Sequence, residues 1–338
     1  VATRDVVVVG ASAGGVEALR TLVAGLPADL PATVLVVLHV PPTGADALAS
    51  ILDRAGPLPA RTAVPGEPLP RGTVLVATPD RHLMLAGGRV VHSTGPRENG
   101  HRPAVDVLFR SAAHALGARV VGVVLSGTLD DGTAGLVAVR SRGGVGVVQE
   151  PSDALFAAMP ANAVAAADPE HVLPVAAIPA LLEELVHQEV PDVAEARGGT
   201  GTTDPEVAVA RFDMDVVDSD DHPGDPSGYT CPDCSGALWR IDDHGLLRFR
   251  CRVGHAWTAE SLHEQQSAET EGALWVALRS LEERAALNRE LSRRAEESGR
   301  RISAGRFGER ADETTEAASV IRRLLTGRGD VTGDEVGA

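Results

Sequence analysis

Between residue 6 and about residue 186, short valine-rich runs alternate with longer stretches in which alanine and leucine recur at helical spacing. That pattern predicts a parallel sheet wrapped by helices on both faces. The runs at 6–9, 34–38, 120–125 and 144–148 are apolar without strict alternation, as expected of central strands buried on both sides. Residues 82–85 and 89–91 flank Gly87-Gly88 and predict a β-hairpin. From about Gln188 to Ser227 the pattern gives way to acidic sequence rich in Gly, Pro and Asp, which reads as a linker. A Cys/His segment and a long charged helical region follow. In the latter, Leu274, Leu278, Leu281, Ala285 and Leu291 form one face, and residues 299–305 mark a turn between antiparallel helices.

The expected architecture is therefore a doubly wound, mainly parallel α/β domain at 1–187 and a linker at 188–227. A small zinc-ribbon-like module at 228–257, a helical hairpin or coiled coil at 258–326 and a disordered tail at 327–338 complete it.

Composition narrows the chemistry. The net charge of -16 gives no positive field for phosphate backbones, so nucleic acid is not an expected partner. All 31 basic residues are arginine. Without a lysine amine, a Walker-type phosphate loop, a Schiff-base enzyme and a Ser-Lys dyad are excluded. No run approaches the ~18 apolar residues of a membrane span, and the N-terminal apolar run is too short for a signal peptide, so a cytoplasmic protein is expected.

The first strand runs into Gly10-Ala11-Ser12-Ala13-Gly14-Gly15 and then a helix. A serine on a sharp strand-to-helix turn is lifted clear of the sheet, and the helix N-terminus favours developing negative charge. Ser12 also occupies the place of the second glycine of a dinucleotide fingerprint, which weakens that reading. The second strand delivers His39 at its carboxyl end, before Pro41-Pro42, where open parallel sheets build their sites. The third ends in residues 125–132, Leu-Ser-Gly-Thr-Leu-Asp-Asp-Gly, which supply a carboxylate to fix a histidine tautomer. Each feature alone has a plainer reading: a glycine-rich turn, a structural histidine, an Asp130 or Asp131 that caps the following helix.

Taken together, Ser, His and Asp in this order resemble the catalytic domain of the chemotaxis receptor methylesterase CheB. The resemblance covers residues 1 to about 187, through the segments at 10–15, 39–41, 100–109, 125–132 and 149–160. It implies a triad of Ser12, His39 and Asp131, with Asp131 preferred over Asp130 because it directly precedes Gly132, and an oxyanion-hole donor in the main-chain N–H of Thr128. It also implies hydrolysis of γ-glutamyl methyl esters, and deamidation of glutamine, on a methylated receptor-like protein, with no cofactor for catalysis. Ala13 and Thr128 stand where the family usually has threonine and methionine. A receiver domain, which usually precedes the esterase, is not expected here. Arg102, with Pro103 and Asp106, is expected to shape the substrate pocket and Met159 a facing loop; a surface or structural role is the other reading of Arg102, and His82, His92, His101 and His114 read as packing or surface residues.

Cys231-Pro-Asp-Cys234 and Cys251-Arg-Val-Gly-His255 make two close pairs of soft ligands, the pattern of a structural Cys₃His zinc site. A redox CxxC would leave the second pair unexplained. Trp239, Phe249 and Trp257 are expected to pack around this ribbon, and the following helices suit a hairpin or a homodimeric coiled coil. Two other readings remain at this level: an adaptor in which the esterase fold serves binding, and an esterase acting on a protein unrelated to chemotaxis.

Overall fold

The computed structural model describes residues 2–40, 47–191, 203–211, 224–243 and 245–327. Pro41-Pro42, most of the expected linker and the tail beyond 327 lie outside these residues. Among the described residues, no helix is long and apolar enough to cross a membrane.

Seven parallel strands form the main sheet, in the order His171–Leu173, Val145–Gln149, Val120–Val124, Val6–Ala11, Thr33–Leu38, Thr73–Val76, Ala60–Thr62. The order in which strands are added reverses at Val6–Ala11: Thr33–Leu38 lies on one side and the later Val120–Val124 on the other. In doubly wound sheets the crevice beyond the carboxyl ends at such a point is where sites form. The absence of alternation in the valine runs has a direct cause. Val7, Val9, Val34 and Val36 pack against Leu19, Leu22, Leu52 and Leu182 on one face. Val6, Val8, Leu35 and Val37 pack against Leu108, Phe109 and Leu136 on the other. The hairpin forms as expected, from His82–Ala86 and Arg89–Ser93, and both turn glycines have positive φ (55° and 72°), as a type I′ turn requires.

The Cys/His segment folds as a four-stranded antiparallel ribbon: Asp225–Thr230, Ala237–Asp243, Leu246–Cys251 and Ala256–Thr258. Its small core holds Cys231, Leu238, Phe249, Cys251, Trp257 and Leu262. Trp239 is only half-buried and lies outside that core, because strand alternation turns its neighbour Leu238 inward instead.

Two boundaries differ from the compositional reading. Residues 203–210, inside the expected linker, form the helix Thr203–Ala210, with Val207 and Ala210 packed against Met84, Ala104 and Val107. The first compact unit also runs to Leu262, so the ribbon belongs with the α/β domain and is not a body separate from it. The reason is a buried ionic cluster. Glu98, Arg110, Glu206, Arg248 and Arg250 are each at most 4% exposed. Glu206 accepts from Arg248 at 2.9 Å and from Arg250 at 3.0 Å, while Glu98 accepts from Arg110 and, at 3.3 Å, from Arg250. Burial opposes ionisation of Glu206, but the surrounding guanidinium groups outweigh it and hold its carboxyl below the usual range. Removing one partner from such a set costs about 3–5 kcal/mol, because the remaining charge is stranded away from water.

The second unit, His263–Ala338, contains most of the helix Ala259–Glu297 and the helix Arg301–Thr326. Within it Ser292 Oγ donates to the carbonyl of Ala304 at 2.8 Å and Arg322 pairs with Glu282, as antiparallel helices require. Leu278 and Ala285 of the expected face are buried. The turn is confined to residues 298–300, where Gly299 has φ of 73°; Gly305 continues the second helix.

Candidate active site

Three adjacent strands deliver the three polar groups. Ser12 follows Val6–Ala11, and its N–H donates to the carbonyl of Ser126 at 3.0 Å, which ties the turn to the neighbouring strand's extension. Gly14 takes the left-handed conformation (φ 68°), and a side chain there would collide with Ser126 and Leu155. The helix Gly15–Gly25 begins immediately afterwards. His39 leaves the end of Thr33–Leu38, its N–H donating to the carbonyl of Ala11 at 3.2 Å. Asp131 lies on the turn between Val120–Val124 and the helix Thr133–Ser141.

These groups form one continuous series. His39 Nδ1 lies 3.1 Å from Ser12 Oγ, and His39 Nε2 lies 2.7 Å from Asp131 Oδ2. An ionised carboxylate only accepts, so Nε2 carries the proton and Nδ1 is left to accept from the serine hydroxyl. His39 and Asp131 are 6% and 2% exposed. Burial alone would raise the Asp131 carboxyl, but the hydrogen bond and charge of His39 prevail and hold it well below the usual carboxylate range.

The surroundings of Asp131 explain how it is held. Its Oδ2 also accepts from Val105 N–H at 2.7 Å, and its Oδ1 from Asp106 N–H at 3.1 Å and Asn99 Nδ2 at 3.3 Å. Val105 and Asp106 open the helix Val105–Leu116, so Asp131 caps that helix and not the one following it. Asp106 reciprocates by accepting from the N–H groups of Gly132 and Gly135, at 3.0 and 2.6 Å, at the start of Thr133–Ser141. Asp106 is thus a buried cap, not a pocket residue; burial, then the charge of Asp131, push its carboxyl well above the ordinary value.

The segment 99–101 supplies Asn99, which the sequence did not single out, and His101, which it read as a packing or surface residue. Asn99 is the amide on Asp131, and the ring of His101 stacks on His39 with centroids 3.7 Å apart and planes 9° from parallel. Burial, then the nearby charge of His39, lower the His101 pKa to about 4, so at neutral pH it packs against His39 as an uncharged ring.

Comparison with known proteins places this geometry. The family model for CheB methylesterase matches residues 7–182, more than half of the chain. The chain belongs to the CheB methylesterase family. A protein-glutamate methylesterase/protein-glutamine glutaminase of Rhizobium johnstonii is 40% identical over 176 residues, covering 51% of this chain and 48% of the relative. Another from Anaeromyxobacter dehalogenans is 43% identical over 173 residues, covering 50% and 49%. The crystal structure of the Thermotoga maritima CheB methylesterase catalytic domain matches with TM-score 0.52 and 33% identity, over 55% of this chain and 100% of that one. The chain spans about half the length of the curated relatives it matches.

Around the site of this CheB-family domain, Thr128 is exposed on the turn before Asp131. Arg102, expected in a substrate pocket, commits its donors to the protein: to Asp80 at 2.7 and 3.0 Å and to the carbonyls of Thr94 and Gly95 at 3.0 Å each. Met159 is fully buried, and its N–H donates to the carbonyl of Gly127 at 2.9 Å, so it supports the turn from beneath and does not face a substrate.

Asp130, next to the series, is 5% exposed, and its Oδ1 accepts from the hydroxyls of Thr258 at 2.7 Å and Ser261 at 2.9 Å. Burial pushes its pKa up to about 6, against the pull of those two hydroxyls. The folded protein therefore keeps a proton that the unfolded chain releases near pH 4. That stabilisation is complete below pH 4 and lost as the pH rises through 6, on the order of 3 kcal/mol. Asp130→Asn keeps an oxygen for both hydroxyls. In urea unfolding across a pH series it is expected to gain stability relative to the unsubstituted protein between pH 4 and 6, and no further above 6.

A second cluster lies in the ribbon. The ligand atoms of Cys231, Cys234, Cys251 and His255 all fall within 4.8 Å of one another, a group that can hold a metal ion. Cys251 Sγ lies 3.6 Å from both Cys234 Sγ and His255 Nδ1. Three thiolates at about 2.3 Å from a tetrahedral zinc, with the imidazole at about 2.0 Å, would set sulfurs about 3.8 Å apart, so the donor set and its spacing fit that ion. The sulfurs are too far apart for a disulfide, and the three cysteines are free.

Proposed function

We propose that this chain is a serine hydrolase that cleaves γ-glutamyl methyl esters on chemoreceptor-like proteins, and deamidates glutamine in the same site. The observation that supports it most directly is the unbroken series from Ser12 Oγ through His39 to Asp131 at the carboxyl edge of a CheB-family sheet. In this reading Ser12 Oγ attacks the ester carbonyl carbon while His39 Nδ1 takes the hydroxyl proton. The N–H of Thr128 donates to the oxyanion. Collapse of the tetrahedral intermediate breaks the bond to the methoxy oxygen, which receives the proton from His39 and leaves as methanol. A water molecule, deprotonated by His39, then attacks the acyl-enzyme and releases the glutamate side chain and Ser12. With an amide the same sequence releases ammonia. Asp131 remains ionised throughout and stabilises the imidazolium.

Leu155 and Phe156, exposed beside the Ser12 turn, offer an apolar lip to the helical protein that presents the ester. The Cys231, Cys234, Cys251 and His255 group is assigned a structural zinc; a closed four-ligand shell leaves no position for a substrate. Methanol release from methylated chemoreceptor cytoplasmic helices is the direct test. The unsubstituted chain is expected to release methanol and Ser12→Ala to remain at the uncatalysed level. Equal rates from the two would contradict the assignment.

A further inference from the structure

The ribbon meets the hydrolase domain at the residues that hold the triad. Residues 97–99 run alongside Ala256: the N–H of Asn99 donates to the carbonyl of Ala256 at 2.8 Å, and Ala256 N–H to the carbonyl of Arg97 at 3.3 Å. Two residues later, Thr258 N–H donates to Asn99 Oδ1 at 2.9 Å. The other end of that amide donates to Asp131, so a single side chain separates the ribbon from the carboxylate that orients His39. Next to it, Thr258 Oγ1 and Ser261 Oγ both donate to Asp130, and Ser261 N–H donates to Thr258 Oγ1 at 3.1 Å. Thr258 is the residue immediately before the helix beginning at Ala259, so Asp130 sits as an anion at a helix N-terminus. A third link runs through Asn162, which donates to the carbonyl of Leu129 at 3.0 Å and to Glu260 at 2.6 Å.

These links converge on consecutive residues 129, 130 and 131. Leu129 has a left-handed backbone (φ 59°), a conformation that a branched side chain does not adopt without external support. Trp257 lies against Gly100, between Asn99 on Asp131 and His101 on His39. Thr258 and Ser261 are each 2% exposed. Both buried hydroxyls donate to Asp130, and the Asn99 amide donates to Asp131 while accepting from Thr258 N–H.

We infer that Thr258 and Ser261, at the junction between ribbon and helix, are positioning residues of the hydrolase: through Asp130 and Asn99 they fix the turn that carries Asp131 and the oxyanion donor. This rests on the triad reading above. Hydrolysis loses rate when a catalytic group shifts by even about 1 Å, so losing the brace lowers turnover more than substrate affinity. The residues 225–261 would then be part of the catalytic apparatus without touching substrate.

The test uses the full chain and two readouts: the rate of covalent labelling by a fluorophosphonate, and kcat and KM for a γ-methyl glutamyl peptide. Thr258→Ala with Ser261→Ala is expected to lower the labelling rate and kcat by roughly ten- to a hundredfold with KM within about twofold. Thr258→Ser alone, which keeps a hydroxyl and the main-chain N–H, is expected to stay within about threefold of the unsubstituted chain. Asn99→Ala interrupts the other path and is held to the same criterion, which decides the matter if the double variant does not fold. Folded variants that label and turn over at the unsubstituted rate would overturn the positioning role alone. An unsubstituted chain that does not label at Ser12 would overturn the triad reading and this inference with it.

Discussion

Asp131→Asn is expected to lower kcat by about 10⁴ while leaving the fold intact, a magnitude set by what happens to a histidine whose carboxylate partner becomes an amide. The geometry here gives the reason. Each oxygen of Asp131 faces two donors: Oδ2 meets His39 Nε2 and Val105 N–H, and Oδ1 meets Asp106 N–H and Asn99 Nδ2. An asparagine must place its NH₂ against one of those pairs. If it faces His39, the ring shifts its proton to Nδ1, which then points a donor at Ser12 and can no longer accept the hydroxyl proton. If it turns the other way, it sets a donor against Asp106 N–H and Asn99 Nδ2, and the helix Val105–Leu116 loses one of its two cap hydrogen bonds. Steady-state kinetics on a methyl ester, with thermal melting as a control for folding, distinguishes these outcomes from a loss below tenfold, which would mean that Asp131 does not orient the base. Asp130→Asn provides the contrast, since its carboxylate makes no contact with His39 and keeps its acceptor oxygen.

Metal removal is expected to have the second large effect, this time on structure. Six buried side chains form the ribbon's core, two of them cysteines of the cluster. So small a core contributes little without its metal; in zinc-finger peptides the ion supplies about 10–16 kcal/mol of apparent binding free energy that is also folding free energy. Cys231→Ser, or exhaustive chelation, is expected to unfold residues 225–261. The loss would register as a red shift in tryptophan emission, from exposure of buried Trp257, and as rapid proteolysis in the ribbon. One equivalent of zinc should accompany the purified protein. A metal-free chain with unchanged emission and protease resistance would remove the metal from the account.

The sheet was readable because its strands are covered on both faces. Valine runs such as 6–9 and 120–124 have no polar side to obscure them, and each is followed by a small-residue turn that exposes Ser12 or Asp131. His39 was readable for the same reason. What the sequence did not reveal depends on contacts across long separations. Asn99 and Thr258 are 159 residues apart, and neither stands in a periodic pattern or a ligand motif. His101 read as one packing or surface histidine among several; only the fold brings its ring onto His39.

As pocket residues, Arg102 and Met159 were misplaced for the complementary reason. Proximity in sequence to a conspicuous motif says nothing about which way a side chain points, and Arg102 points to Asp80 while Met159 lies beneath Gly127. The helix Thr203–Ala210 was hidden because eight residues in an acidic stretch carry too little apolar pattern to stand out. Its key residue, Glu206, is a charge that composition assigns to solvent and the structure buries between arginines. With Glu98, that carboxylate ties Arg248 and Arg250 of the ribbon to the α/β domain, with which the ribbon shares a compact unit.

Every step of the proposed reaction depends on an activated Ser12, which intact-mass analysis after treatment with a fluorophosphonate reads out without a choice of substrate. One phosphonyl adduct is expected on the unsubstituted chain, none on Ser12→Ala, and a modified peptide containing Ser12. An unmodified chain, or equal labelling of both proteins, would contradict it.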